Sequence, residues 1–180
     1  PAHKRQTMLF SATLSFLVKE LAWSFMNDPV EIEIAPEHLT VDTVTQELYH
    51  VGNDEKMSLL LEILAREKPK NCLVFTNMKS TAVTLAKRLG MNGIRCEFIT
   101  GDLQQKERTR IIEGIKSGRI PLLVATNVAS RGLHVDNLDL VINYDLPEDC
   151  EDYVHRIGRT ARAGKEGKAI SLACEDYIYA

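Results

Sequence analysis

Cys72-Leu73-Val74-Phe75 is a run of four apolar residues with no polar position to face water. A strand of this kind is covered on both faces, which is the habit of parallel sheets rather than of antiparallel sheets with one wet side. Pro69-Lys70-Asn71 punctuates the chain before it. After it, Ser80 to Leu89 keeps helical spacing and reads as a helix closed by Gly90. Arg95 to Thr100 is the next strand and Gln104 to Lys116 the next helix, stopped near Gly118. Leu122 to Ala125 repeats the wholly apolar strand pattern and leads into a short helical turn. Leu140 to Asn143 is another strand, ended by Pro147, and a short helix and a last strand, Lys168 to Cys174, follow. Upstream, residues 44–51 are extended, and 54–67 place Met57, Leu60, Leu61 and Leu64 on one helical face. Strands alternating with such helices predict an α/β domain with a mostly parallel central sheet and helices on both faces. Ligands then bind at the carboxyl ends of the strands, which points to the segments after Phe75, Thr100, Ala125 and Asn143.

Residues 1–35 fit this scheme less well. Gln6 to Phe10 is strand-like and runs into Ser11-Ala12-Thr13; Leu14 to Met26 is an amphipathic helix ended by Asp28-Pro29; Val30 to Ile34 alternates as a strand. Residues 36–43 read as a linker, so a domain boundary falls there and residues 44–180 form the second domain. The chain begins abruptly and without Met, and it reads as a cut fragment.

Composition sets outer limits. The chain has 180 residues, 44% hydrophobic and 26% charged, which suits a folded globular domain and not a disordered one. No apolar run is long enough to span a bilayer, so no membrane partner is expected. No apolar signal core follows Pro-Ala-His-Lys-Arg, and the reading is a cytoplasmic protein. Cys72, Cys96, Cys150 and Cys174 have no metal-ligand spacing; they read as small hydrophobes in a reducing compartment, and no metal site is expected.

The net charge is −3, from 22 Lys+Arg against 25 Asp+Glu, so bulk charge does not predict a polyanion partner. Distribution is more telling. From His155 to Lys168 there are three arginines and two lysines against one acid, Glu166, just after the acidic Asp145, Glu148, Asp149, Glu151 and Asp152. Arg156, Arg159 and Arg162 are three apart, a spacing that lines side chains on one face of a helical turn. Converging guanidinium groups repel one another and usually meet an anion; their planar forks match phosphate oxygens. Surface salt bridges to Asp149, Glu151 and Asp152 are the plainer account, and spacing alone does not separate the two.

The full string does more. Tyr153-Val154-His155-Arg156-Ile157-Gly158-Arg159-Thr160-Ala161-Arg162-Ala163-Gly164 closely resembles the sixth motif of DEAD-box RNA helicases. Val74-Phe75-Thr76-Asn77 resembles the fourth motif. Gln105-Lys106-Glu107-Arg108, after Thr100-Gly101-Asp102, resembles the Gln-x-x-Arg element. Ala125-Thr126-Asn127-Val128-Ala129-Ser130-Arg131-Gly132-Leu133 resembles the fifth motif, and Ser11-Ala12-Thr13 the third. Five motifs in order cover essentially the whole chain.

The resemblance implies a RecA-like three-layer domain, the second of the pair between which these helicases hydrolyse ATP to open RNA duplexes. It implies Arg159 and Arg162 on the γ-phosphate as arginine fingers, with His155 and Arg156 in the same catalytic set, bridging the two domains; a hydrogen-bonded structural role competes for His155. Thr126, Arg131 and Gly132 would meet RNA phosphates, with Asn77, Lys79, Gly101 and Arg108 extending the track. Such backbone contacts carry no base information. Ser11 and Thr13 would couple the domains. ATP and Mg²⁺ would be held mainly by the N-terminal RecA-like domain, since this chain has no Gly-x-x-x-x-Gly-Lys-Thr loop and no Asp-Glu-Ala-Asp box. By itself the chain is expected to be inactive, and the last covering helix is expected to be missing.

Four positions depart from the family pattern. Asn127 and His134 stand where Asp is usual, which puts the ribose contact implied for His134 in doubt. Ala161 replaces a Gly, and Met78 a common Thr. Arg-Gly-Leu-His, Glu151-Asp152-Tyr153 and Ser171-Leu172-Ala173-Cys174-Glu175 look most like bacterial helicases of the RNA-degradosome type, which implies a ribonuclease or degradosome scaffold as a further partner. A module kept only to dock such a partner, and a DNA-directed helicase, are the rival readings.

Overall fold

The computed structural model describes residues 6–11, 16–32, 44–130, 135, 138–161 and 166–175. The chain divides into two compact units, Pro1–Glu37 and His38–Ala180. In the first unit, α1 spans Phe16–Phe25. It carries Phe16, Leu21, Trp23 and Phe25 exposed. Gln6 to Phe10 and Val30 to Ile32 are not strands, contrary to the strand-like run of the first and the alternation of the second. A strand is held by a neighbour's N–H and C=O groups, and among the described residues none pairs with these segments.

The second unit runs β1 (Val44–His50), α2 (Lys56–Glu67), β2 (Cys72–Thr76), α3 (Lys79–Met91), β3 (Cys96–Ile99), α4 (Gln105–Lys116), β4 (Leu122–Thr126), α5 (Asn127–Ser130), β5 (Leu140–Asn143), α6 (Cys150–Ile157) and β6 (Gly167–Ala173). The six strands form one sheet in the order β1-β6-β5-β2-β4-β3, and every pairing is parallel. The wholly apolar runs have the cause read from them. In β2, Cys72 and Val74 pack against Leu60, Ile63, Leu85 and Leu89 of α2 and α3. Leu73 and Phe75 point the other way, towards Ile111 and Ile115 of α4. The fold is the expected α/β sheet with helices on both faces.

Gly90 does not close α3. The helix continues to Met91, and the left-handed turn falls on Gly93 at φ 77°, a backbone angle a Cβ would oppose. At the sheet edge, Lys168 of β6 reaches Glu47 of β1 at 2.7 Å and Glu67 of α2 at 2.8 Å, and Arg66 adds bonds to both carboxylates. Hydrogen bonding from Lys168 holds both glutamates below their ordinary range. Cys72 is buried, and that burial pushes its thiol far up. Cys174 is buried too, but Cys150 at the start of α6 is exposed, unlike the buried hydrophobe its sequence suggests.

Candidate functional site

Arg156 and Arg159 do not share a helical face. α6 begins at its Asp149 cap, whose carboxylate accepts from the Asp152 N–H at 2.6 Å, and ends at Ile157. Gly158 closes it, its N–H donating to the Val154 carbonyl at 2.8 Å. Arg156 therefore ends the helix, while Arg159 follows in a turn. The two side chains part ways: Arg156 is 2% exposed and Arg159 half-buried.

Arg156 lies inside its own domain. Its Nε donates to Asn127 Oδ1 at 2.6 Å, its Nη2 to Asn77 Oδ1 at 2.7 Å, and its Nη1 to the Asp145 carbonyl at 2.5 Å. A longer bond reaches Asn143 Oδ1 at 3.4 Å, and the guanidinium stacks over the Phe75 ring at 5.1 Å. These are neutral oxygens, not the carboxylates of a surface ion pair. A buried guanidinium is tolerable only when its donors are met in this way.

The same network fixes the loop residues. Asn77 donates its N–H to Asp145 Oδ2 at 3.1 Å and its side-chain amide to the Leu146 carbonyl at 2.8 Å. Asp145 Oδ1 accepts from Lys56 Nζ at 2.8 Å, a pair with Lys56 only 3% exposed. Asn127 donates Nδ2 to Asp152 Oδ2 at 2.7 Å. The ends of β2, β4 and β5 and both termini of α6 are thus joined through one cation.

Above this network lies a groove of about 550 Å³ at the carboxyl ends of the strands. Four of the sequence-predicted RNA residues, Asn77, Lys79, Gly101 and Thr126, line it together. Asp102, Glu148, Asp149 and Asp152 line it as well. Lys79, its one described cation, is ion-paired with Asp102. A phosphate here would meet repulsion from carboxylates and would have to be held by N–H and hydroxyl donors such as Thr126.

The other expected residues scatter. Arg108 donates Nη2 to the Ala129 carbonyl at 2.7 Å, which pins the short helix α5. His155 is half-buried on α6. Arg159 is held by its backbone, donating its N–H to the Arg156 carbonyl and accepting from Leu138 N–H, both at 3.2 Å. The next residue, Thr160, is buried and donates its hydroxyl to the Leu138 carbonyl. Ser11 lies exposed in the first unit. Thr13, Arg131, Gly132, His134 and Arg162 lie outside the described residues. The sequence reading passed over Lys56, Asn143 and the hub role of Asn127. Asn143 was the most findable of these, a polar residue closing an apolar strand.

The chain is similar to known proteins over most of its length. Residues 55–164 match the family described as helicase conserved C-terminal domain. The chain is 51% identical over 176 residues to ATP-dependent RNA helicase RhlB of Shewanella baltica (strain OS155), covering 98% of this chain and 40% of that protein. It thus spans well under half the length of this relative. Among solved structures, E. coli DEAD-box protein SrmB bound to regulator of ribonuclease activity A superposes with TM-score 0.70 at 36% identity, covering 75% of this chain and 81% of that one. A DEAD box protein from the hyperthermophile Methanococcus jannaschii gives TM-score 0.70 at 38% identity, over 93% of this chain and 45% of that one. The C-terminal domain of the DEAD-box protein Dbp5 gives 0.71 at 33%, over 78% and 82%. With its parallel sheet, its ordered motifs and these relatives, the chain belongs to the helicase conserved C-terminal domain family, as a DEAD-box type RecA-like domain.

Proposed function

We propose that this chain is the half of an ATP-dependent RNA helicase that closes over the nucleotide and carries part of the single-stranded RNA track. The observation that carries the reading is the groove, which gathers Asn77, Lys79, Gly101 and Thr126 from three separate strand ends. The residues present fit a phosphate: Arg159 is half-exposed beyond α6, on a backbone pinned at both its N–H and its carbonyl. ATP bound between the two domains would supply the phosphoryl group. Arg159, with Arg162, would offset the negative charge developing on it. Residues 1–35 would be the end of the N-terminal domain, with Ser11 and Thr13 coupling the two. Mg²⁺ would be held by that domain; among the described residues no cluster of three His, Cys, Asp or Glu side chains could take a metal. A cytoplasmic setting belongs to the same proposal, supported by four cysteines in the free form.

In the full-length protein, Arg159→Ala should lower ATP hydrolysis by roughly 10³–10⁵-fold while RNA binding persists. A variant that keeps wild-type turnover would overturn the finger assignment. The second reading, a docking module for a ribonuclease-associated partner, is favoured by SrmB having been solved bound to such a regulator. Under that reading Arg159→Ala leaves ATPase activity and partner binding both intact.

A further inference from the structure

α3 carries three cations, Lys79, Lys87 and Arg88, and no carboxylate along its 13 residues. That bias is marked in a chain whose acids outnumber its bases. One side of α3 forms a second hollow, of about 250 Å³, lined by Ser80, Thr81, Thr84, Leu85, Arg88 and Tyr144. Ser80, Thr84 and Arg88 are four apart, so their side chains stack along one helix face. Leu85 is buried beneath them.

Tyr144 closes the far wall. Its backbone is pinned by donation to the Phe75 carbonyl at 3.0 Å, and Lys56 Nζ sits 4.5 Å from its ring centre. Burial raises its phenol, with the charge of Asp145 adding and that of Arg88 opposing, so the hydroxyl stays a donor. The Asp145 carboxylate is engaged by Lys56 and by the Asn77 N–H. Among the described residues the Arg88 guanidinium has no ion-pair partner.

The hollow therefore offers three aliphatic hydroxyls, a phenol and a guanidinium, with no acid in its lining. The larger groove beside it has four carboxylates and one paired lysine. The two adjoin through consecutive residues, since Lys79 lines the groove and Ser80 the hollow. We propose that the hollow is a phosphate subsite for the RNA strand where it leaves the groove. Arg88 is the charged partner, and Ser80, Thr81, Thr84 and Tyr144 are hydroxyl donors to phosphate and ribose oxygens. This rests on the RNA reading of the groove itself.

The test compares two single-stranded oligouridylates on the full-length protein across a salt series: one only long enough to fill the groove, the other several times longer. Arg88→Ala should weaken the longer strand several-fold and make its salt dependence shallower by about 0.7 in log–log slope, the loss of one phosphate contact. The short strand should bind as before, and Arg88→Lys should keep most of the long-strand affinity. Arg88 is exposed and alanine favours helix, so the variant folds. Lys79→Ala separates the two readings, because a groove residue weakens both lengths. If Lys79→Ala weakens both and Arg88→Ala weakens neither, or weakens both equally, the subsite is wrong and the groove stands. If Lys79→Ala changes neither, the groove reading fails and the subsite falls with it.

Discussion

Arg156 Nε and Asn127 Oδ1 meet at 2.6 Å across a sequence separation of 29 residues. The bond joins α6 to the first residue after β4, and the same guanidinium holds Asn77 after β2 and the Asp145 carbonyl after β5. The loops after β2, β4 and β5 are therefore held by one buried cation beneath the groove.

Replacing that cation should unfold the domain more readily. Arg156→Met keeps much of the volume but removes the bonds that Arg156 donates to Asn77, Asn127 and the Asp145 carbonyl, at a cost of about 3–5 kcal/mol. Urea unfolding measures this. Arg159→Ala serves as the contrast, with stability within about 0.5 kcal/mol of wild type and ATPase activity lost. Equal unfolding midpoints for Arg156→Met and wild type would sink the hub role.

The two amide atoms of Asn127 face opposite ways. Oδ1 accepts from Arg156, and Nδ2 donates to Asp152 at 2.7 Å. Asn127→Asp strengthens the first bond and turns the second into a carboxylate pair, so the net change should stay within about 1 kcal/mol. Adding Asp152→Asn restores a donor on the other side. The double variant should then be more stable than the single by about 1 kcal/mol, read from a double-mutant cycle. A cycle showing no coupling would refute the bridge.

Ala161 sits at φ 54° just after buried Thr160. Its backbone cannot relax by shifting towards β6, because Gly167 there is so close that even an added Cβ would meet the Thr160 hydroxyl and approach Ala161 Cβ to 2.8 Å. A left-handed alanine costs roughly 1–2 kcal/mol, which glycine avoids at some cost in unfolded-state entropy. Ala161→Gly should raise stability by about 0.5–1 kcal/mol, seen as a higher thermal midpoint. A lower midpoint would show that the packing of its methyl group against Val44, Ile157 and Ala169 matters more.

The edge cluster predicts an acid limb. Lys168 holds Glu47 and Glu67 below the ordinary glutamate value of 4.5. A depressed carboxyl contributes stability above its unfolded pKa and loses it as pH falls through the folded value. Unfolding free energy should therefore decline as pH drops below 4.5, and Glu67→Gln should make that decline shallower. An unchanged pH profile in the variant would exclude Glu67 as a contributor. Both groups are partly exposed, so the effect should shrink in high salt.

The sequence determined the sheet and the motifs by itself. Cys72 to Phe75 and Leu122 to Ala125 are apolar at every position because both faces of those strands are covered, and that pattern survives any choice of tertiary detail. Gln6 to Phe10 failed the same kind of reading, since an apolar run makes a strand only when a neighbour supplies its ladder. The roles of individual side chains needed the tertiary structure. Arg156 and Arg159 have the same chemistry and lie three residues apart, yet one is interior and the other half-exposed. What divides them is where α6 ends, at Gly158, and which oxygens the ends of β2, β4 and β5 bring within reach. Those oxygens come from Asn77, Asn127 and Asp145, which are distant along the chain, and local spacing cannot report on groups that only folding makes neighbours.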